Sequence, residues 1–293
     1  MTDTQDTKEH NNRFGLELAL GQQQAYQDQY NPALLQPIAR SICREHLPLQ
    51  ALPNQQFKGV DIWTGYELSW LDETGKPCAA IAEFSVPANS PNIIESKSFK
   101  YYLNSFNQTR INQTQLEKTL INDLTQAAGQ PVGLTVIRLN DYQHPPTCIQ
   151  GFTCVDDLAL ANPSYIPSAA LLQPIALTTD DSAAPHTKKQ QLFSHLLKSN
   201  CPVTGQPDWA SVWVEVEGAA ITPESFLAYI VSYRGHQDFH ENCVEQMYCD
   251  LWQTLKPSSL WVYARYTRRG GLDINPFRSS HNQIPPSIKG ARQ

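Results

Sequence analysis

"SFKYYLNSF" (Ser98–Phe106) and "SFLAYIVSY" (Ser225–Tyr233) decide how this 293-residue chain is read. At an offset of 127 residues they coincide at Ser98/Ser225, Phe99/Phe226, Tyr102/Tyr229 and Ser105/Ser232. Without a gap, the same offset carries Asp123-Leu124 onto Asp250-Leu251, Gln126 onto Gln253 and Arg138 onto Arg265. A self-similarity of this length, with the same apolar period in both copies, reads as a duplicated unit.

The first copy shows what a unit contains. "FKGVDIWTGYELSWL" (57–71) and "CAAIAEFSV" (78–86) are rich in β-formers and flank the turn signal "DETGK", which predicts a hairpin. Phe99, Tyr102, Leu103 and Phe106 recur at spacings of three and four, which predicts a helix capped by Ser96 or Ser98. "QTQLEKTLINDLTQAAG" carries Leu116, Leu120 and Leu124 on one helical face and stops at Gly129. "VGLTVIRL" is a strand. Each unit is then two strands, two helices and two strands, an α+β layer of antiparallel sheet with helices on one face. Along the chain this gives a disordered polar tail over 1–15, an N-terminal unit with an extension over 16–177, a polar linker over 178–189, and a C-terminal unit over 190–293.

Composition narrows the function. The chain is 41% hydrophobic and only 17% charged, with a net charge of −6, so the protein as a whole is no nucleic-acid clamp. The polar start "MTDTQDTKEHNN" is not a signal peptide, and no apolar run is long enough to span a membrane. Seven scattered cysteines (Cys43, Cys78, Cys148, Cys154, Cys201, Cys243, Cys249) point to reduced thiols and a cytoplasmic location.

Four stretches could carry chemistry. In "SNCPVTGQPDW" (199–209), Cys201 is either a small buried hydrophobe or a nucleophile held in a proline-stiffened loop. A carboxylate raises a neighbouring thiol's pKa, so Asp208 fits better as a proton courier to a product nitrogen than as an activator of sulfur. In "GHQDFHENCVE" (235–245), His236 and His240 are spaced for a shared metal, but further ligands are lacking. The other readings are a solvated helix start, with Glu241 favoured by the helix dipole, or His240 and Glu241 as hydrogen-bonding ligands of a polar heterocycle. In "ESKS" (95–98), Glu95 is either a helix cap or a carboxylate for a purine-like ring, with Ser96 and Lys97 near a phosphate. "RYTRRGGLDINPFR" (265–278) gathers Arg265, Arg268, Arg269 and Arg278 around Gly270-Gly271, either as a solvated edge strand or as a phosphate site. Neither a G-x-G-x-x-G nor a Walker A motif is present, so a nucleotide would bind without those frames.

Together with "LGQQQAYQDQYNPALLQPIAR" and "IIESKSFKYYLNSFNQTR", these stretches resemble the NADPH-dependent 7-cyano-7-deazaguanine reductases, the nitrile reductases of queuosine biosynthesis, in their long duplicated form. The resemblance spans about 16–278. It implies a tandem tunnelling fold, a cytoplasmic homodimer, NADPH as cofactor, and a small 7-deazaguanine nitrile as substrate, with no direct nucleic-acid or membrane partner. It also implies that Cys201 forms a covalent thioimide and Asp208 donates the proton. Ile94, Glu95, Ser96, His240 and Glu241 match the substrate-binding motifs; Ser96, Lys97, Arg269 and Gly270 match the NADPH-binding motifs; no metal is implied. One departure, Gln22 in place of an expected lysine, lies outside the site motifs. Other chemistries open to these residues are a hydrolytic cysteine nitrilase, a zinc cyclohydrolase and a non-catalytic purine-binding module.

Overall fold

The computed structural model describes residues 26–52, 57–175 and 189–293. The 1–15 tail, Gln22 and all of the 178–189 linker except Lys189 lie outside the described residues. Two compact units are present. One holds residues to Glu45, Val60–His144 and Arg268–Ile274; the other holds His46–Gly59, Pro145–Thr267 and Asn275–Gln293. Among the described residues no helix is long and apolar enough to cross a membrane.

In the first unit, β1 (Pro37–Ala39) leads into one helical turn, α1 (Arg40–Cys43). The expected hairpin is β2 (Lys58–Leu71) with β3 (Pro77–Pro87), antiparallel, with a bulge between Gly65 and Leu68. "DETGK" makes its turn as a local network. Asp72 Oδ1 accepts from the Thr74 N–H, the Thr74 hydroxyl and the Lys76 N–H at 2.9, 2.6 and 3.0 Å. Gly75 supplies the positive φ, +91°, that the turn needs. β4 (Asn92–Ile94) pairs with β1, and α2 (Ser96–Asn104) follows. Neither serine caps α2 as expected. Glu95 is the last extended residue, and its carboxylate accepts from the Lys97 and Ser98 N–H groups at 2.8 and 2.6 Å. The longer side chain reaches two helix-start donors at once. α3 (Gln113–Ala128) is bounded by Asn112, which caps Gln115 N, and by left-handed Gly129, as expected. β5 (Gly133–Arg138) returns antiparallel to β3.

The second unit places the two-residue β6 (Thr153–Cys154) parallel to β7 (Lys189–Asn200). β7 forms a hairpin with β8 (Pro207–Glu217), with a bulge between Ser194 and Leu197. α4 (Pro223–Ser232), α5 (His240–Leu255) and β9 (Ser259–Tyr266) follow, with β9 antiparallel to β8. β10 (Leu272–Ser279) passes into this unit at Asn275 and pairs Phe277 with Tyr263 of β9.

The units repeat contact by contact. Tyr102 donates its hydroxyl to Asp123 at 2.7 Å, and Tyr229 donates to Asp250 at 2.6 Å. Gln36 N–H reaches Ser98 Oγ, and Gln173 N–H reaches Ser225 Oγ, both at 3.1 Å. The last pair rests on "LLQPIA", which occurs at both 34–39 and 171–176 and which the 127-residue alignment passes over. Residues from Pro145 pack with the second unit, whereas the sequence reading carried the first unit to 177. The strands also shift the alignment. Leu68 faces Ala80 after one bulge and Leu197 faces Ala210 after the other; Ala80 then faces Arg138, and Ala210 faces Tyr266. Arg138 is therefore level with Tyr266, not with Arg265, and a one-residue slip exchanges the two faces of a strand.

Helices cover one face of each hairpin. In the first unit Ala80, Ala82, Phe84 and Val86 of β3 alternate onto the core formed with Phe99, Tyr102, Leu116, Leu120 and Leu124. In the second, Ala210, Val212, Val214 and Val216 of β8 have the same parity and are buried. Asp208 belongs to that same row.

Candidate active site

Parity explains why a carboxylate is buried at the end of β8. Asp208 is 4% exposed and continues the row of Ala210 and Val212. Across the ladder Asn200 faces Pro207 and Ser199 faces Asp208. One step further, the Cys201 N–H donates to the Gln206 carbonyl at 2.8 Å, so Cys201 and Gln206 close the hairpin tip. Asp208 lies two residues beyond Gln206, which makes Cys201 and Asp208 diagonal neighbours on one face of the hairpin. The spacing of seven in sequence is a short reach in space.

The Cys201 loop is tied down at its base. Gly205, at φ +66°, donates to the Cys201 carbonyl at 3.0 Å. Asn200 N–H donates to the His236 carbonyl at 2.8 Å, and Asp238 N–H donates to the Asn200 carbonyl at 3.2 Å. Lys198 Nζ donates to Asn200 Oδ1 at 2.6 Å and to the Arg234 carbonyl at 2.8 Å. The segment that ties the loop runs directly into α5, whose first residue is His240. His240 Nε2 lies 3.3 Å from Asp208 Oδ2, and its ring stacks on Tyr266. Cys201, Asp208 and His240 thus share one end of the second unit, with Ser199 and the buried Cys243 beneath them. Burial pushes the Cys243 thiol well above its ordinary range.

One expectation for the His240 stretch changes. His236 precedes α5 and does not share a helical face with His240, which leaves the metal spacing without its helix. Glu241 is buried at 2% exposure, so this helix start is not solvated. Among the described residues no group of three or more His, Cys, Asp or Glu side chains is arranged to hold a metal.

The first unit holds the other sequence-named residues. Ile94 and Glu95 are buried at the β4–α2 junction, Ser96 is exposed and Lys97 half-buried. Burial raises the Glu95 pKa against the opposing pull of the Lys97 and Ser98 N–H groups. Gly270 takes φ +59°, and a Cβ there would collide with the Lys100 side chain, so the Arg269-Gly270 turn lies against α2. Arg269 and Arg268 are exposed, and the Arg268 guanidinium sits 4.8 Å from the Tyr66 ring centroid. The arginine stretch does not act as one patch, nor as a solvated edge. β9 is buried along nearly its whole length, Arg265 donates to the Tyr263 hydroxyl at 3.0 Å, and fully buried Arg278 pairs with Glu245 at 2.8 Å.

Ser199, Lys198, Tyr266 and Lys100 were not singled out by sequence. All lie inside or beside the quoted motifs, but hairpin register and turn geometry are needed to aim them.

Family models agree with this layout. One described as "Nitrile reductase, 7-cyano-7-deazaguanine-reductase N-term" matches residues 26–136, and one described as "QueF-like protein" matches 207–284. These define a nitrile reductase. Three curated relatives, each named NADPH-dependent 7-cyano-7-deazaguanine reductase, extend the match. That of Teredinibacter turnerae is 54% identical over 92% of this chain and 94% of its own. That of Saccharophagus degradans is 52% identical over 94% and 99%, and that of Bordetella pertussis 50% over 94% and 97%. The chain belongs to the NADPH-dependent 7-cyano-7-deazaguanine reductase family. A solved structure of the archaeosine synthase QueF-Like in the apo form aligns with 35% of this chain and 100% of its own, at 21% identity and a TM-score of 0.30.

Proposed function

We propose that the chain reduces the nitrile of 7-cyano-7-deazaguanine to the primary amine 7-aminomethyl-7-deazaguanine, in four electrons, through a thioimide on Cys201. The observation that carries the reading is the hairpin tip: Cys201 and Asp208 on one face, with His240 3.3 Å from the acid. Cys201 Sγ adds to the nitrile carbon, and Asp208 passes the thiol proton to the nitrile nitrogen. His240, at the Asp208 carboxylate, holds that acid in place and offers a second nitrogen to the substrate. When the thioimide has been reduced, the carbon–sulfur bond breaks and the thiol is restored, leaving an imine for the second reduction. Glu241, buried next to His240, supplies a carboxylate for the N–H edge of the deazaguanine ring; in the first unit, Ile94, Glu95 and Ser96 are the residues to test as further substrate ligands.

The first unit's basic groups fit a polyanionic cofactor. Lys97 and Lys100 lie on the first turns of α2, and the Arg269-Gly270 turn, with Gly270 at φ +59°, adjoins Lys100. Ser96, Lys97, Arg269 and Gly270 are the residues that would hold NADPH, each molecule of which would supply one hydride, so that two molecules in succession would provide the four electrons. The tunnelling fold, a homodimer in the cytoplasm and a place in queuosine biosynthesis belong to the same proposal.

The test is NADPH oxidation with 7-cyano-7-deazaguanine, with mass spectrometry of the protein and nitrile alone. Two NADPH consumed per nitrile, and an adduct lost in Cys201→Ala, are expected. Ammonia release without NADPH use would make the protein a hydrolase, and an adduct that survives Cys201→Ala would displace the nucleophile.

A further inference from the structure

A histidine side chain needs help to hold one orientation. Its outer torsion is broad and roughly two-fold, so the ring plane is soft unless something braces it. His240 is the first residue of α5, where no helical turn precedes it to pack its ring. Two contacts meet it instead. Asp208 Oδ2 sits 3.3 Å from Nε2, at the edge of the ring. Tyr266 covers its face, with ring centroids 3.7 Å apart and planes 3° from parallel.

Tyr266 is itself immobilised by the sheet. It is fully buried on β9 directly across from Ala210, and its N–H donates to Asn275 Oδ1 at 3.1 Å. The next residue, Thr267, donates its N–H to the Trp209 carbonyl at 2.8 Å, one residue from Asp208. The brace and the acid therefore hang from the same two hydrogen-bonded strands. With plane and edge both set, one polar atom of the ring is unused. His240 Nδ1 is buried and has no hydrogen-bond partner among the described residues. The Tyr266 hydroxyl turns towards the Ser199 and Cys243 side chains, so it is the aromatic face and not the phenol oxygen that meets His240.

We infer that Tyr266 is a positioning residue that sets the plane of the His240 imidazole, so that Nε2 meets Asp208 while Nδ1 is presented to the substrate. This rests on His240 being a substrate ligand, as proposed above. Two variants separate the aromatic face from the hydroxyl. Tyr266→Phe keeps the face and is expected to stay within about threefold of the parent in kcat/KM for 7-cyano-7-deazaguanine. Tyr266→Leu loses the face and is expected to lose about tenfold, mainly by raising the nitrile KM, with the NADPH KM moving less than about twofold. In a His240→Ala background, Tyr266→Leu should add less than about twofold, because the residue it positions is already gone. Equal losses in the Phe and Leu variants, or a full tenfold loss added to His240→Ala, would overturn the inference.

A spectroscopic measurement reads the brace without any turnover. The carbon-bound ring protons of His240, assigned by their absence in His240→Ala, should be shifted upfield by the Tyr266 ring in the parent and in Tyr266→Phe. His240 signals at ordinary positions in the parent would overturn the inference even if neither Tyr266 variant folds. Braced His240 signals in a parent that consumes no NADPH on adding the nitrile would uphold the packing and sink the proposed reaction instead.

Discussion

The two units share one plan and differ at their hairpin tips and helix starts. Both have a bulged hairpin, a nine- or ten-residue helix, a sixteen-residue helix and a returning strand. Both make the same tyrosine–aspartate hydrogen bond between their helices, buried in the second unit and partly buried in the first. They diverge at two places. At the hairpin tip, the first unit has Asp72, which ties up its own turn, while the second has Cys201 on a longer loop with its side chain partly exposed. The position level with Asp208 is Cys78, and the position level with His240 at the start of the long helix is Gln113. The start of the shorter helix is the second place. The first unit has Glu95-Ser96-Lys97; the second has Thr222-Pro223-Glu224, an ordinary hydroxyl cap with the basic charge replaced by an acid. Caps and turn tips contribute little to the core, so these positions can differ while the two folds stay alike.

The sharpest way to break this comparison is at the hairpin tips. Cys201→Ala should lower nitrile-dependent NADPH oxidation by more than about a thousandfold, as loss of a nucleophile does. Asp72→Ala, at the level of Cys201 in the other unit, should change the rate less than about twofold and lower only the melting temperature. Asp208→Asn should cost about a hundredfold to a thousandfold in kcat with folding intact, while Cys78→Ser stays near the parent; steady-state kinetics on both checks the pair.

The helix starts give the next test. Burial raises the Glu95 pKa, so the folded protein binds that proton more tightly than the unfolded chain does. Its ionised form is lost as pH falls through a value above the ordinary 4.5, and with it the acceptor for a ring N–H. The nitrile KM should therefore rise on that acid limb, and Glu95→Gln should flatten the limb while raising KM by about tenfold at neutral pH. Thr222→Ala should cost about 1 kcal/mol of stability in a denaturant titration and leave the pH profile unchanged. On the cofactor side, Arg269→Ala should raise the NADPH KM by about tenfold and the nitrile KM by less than twofold.

The smallest difference lies in the shared hydrogen bond. Tyr229 is fully buried and its hydroxyl also meets Tyr233 at 2.9 Å, whereas Tyr102 shares Asp123 with Tyr30, which is exposed. Tyr229→Phe should destabilise by about 1–2 kcal/mol and Tyr102→Phe by about 1 kcal/mol or less, read from chemical denaturation.

Much of the layout was legible in the residues. The hairpin around "DETGK", the helix at Gln113–Ala128 with its Gly129 stop and the helical half of the repeat all follow from local pattern, because turn chemistry and apolar period act over a few residues. The serine caps did not hold, because a carboxylate one residue earlier reaches the same donors. The arginine stretch misled for a different reason. Arg278 carries no mark in sequence that distinguishes it from Arg269, and only the fold shows Glu245 meeting it.

By itself the sequence showed two stretches that repeat one pattern, an α+β layer as the fold class, and which segments hold a thiol, acids, histidines and arginines worth testing. The tertiary structure alone decided which of them meet. Asp208 reaches His240 across thirty-odd residues and Tyr266 stacks on that ring from another strand, because strand parity and register are set by long-range pairing that no local window contains.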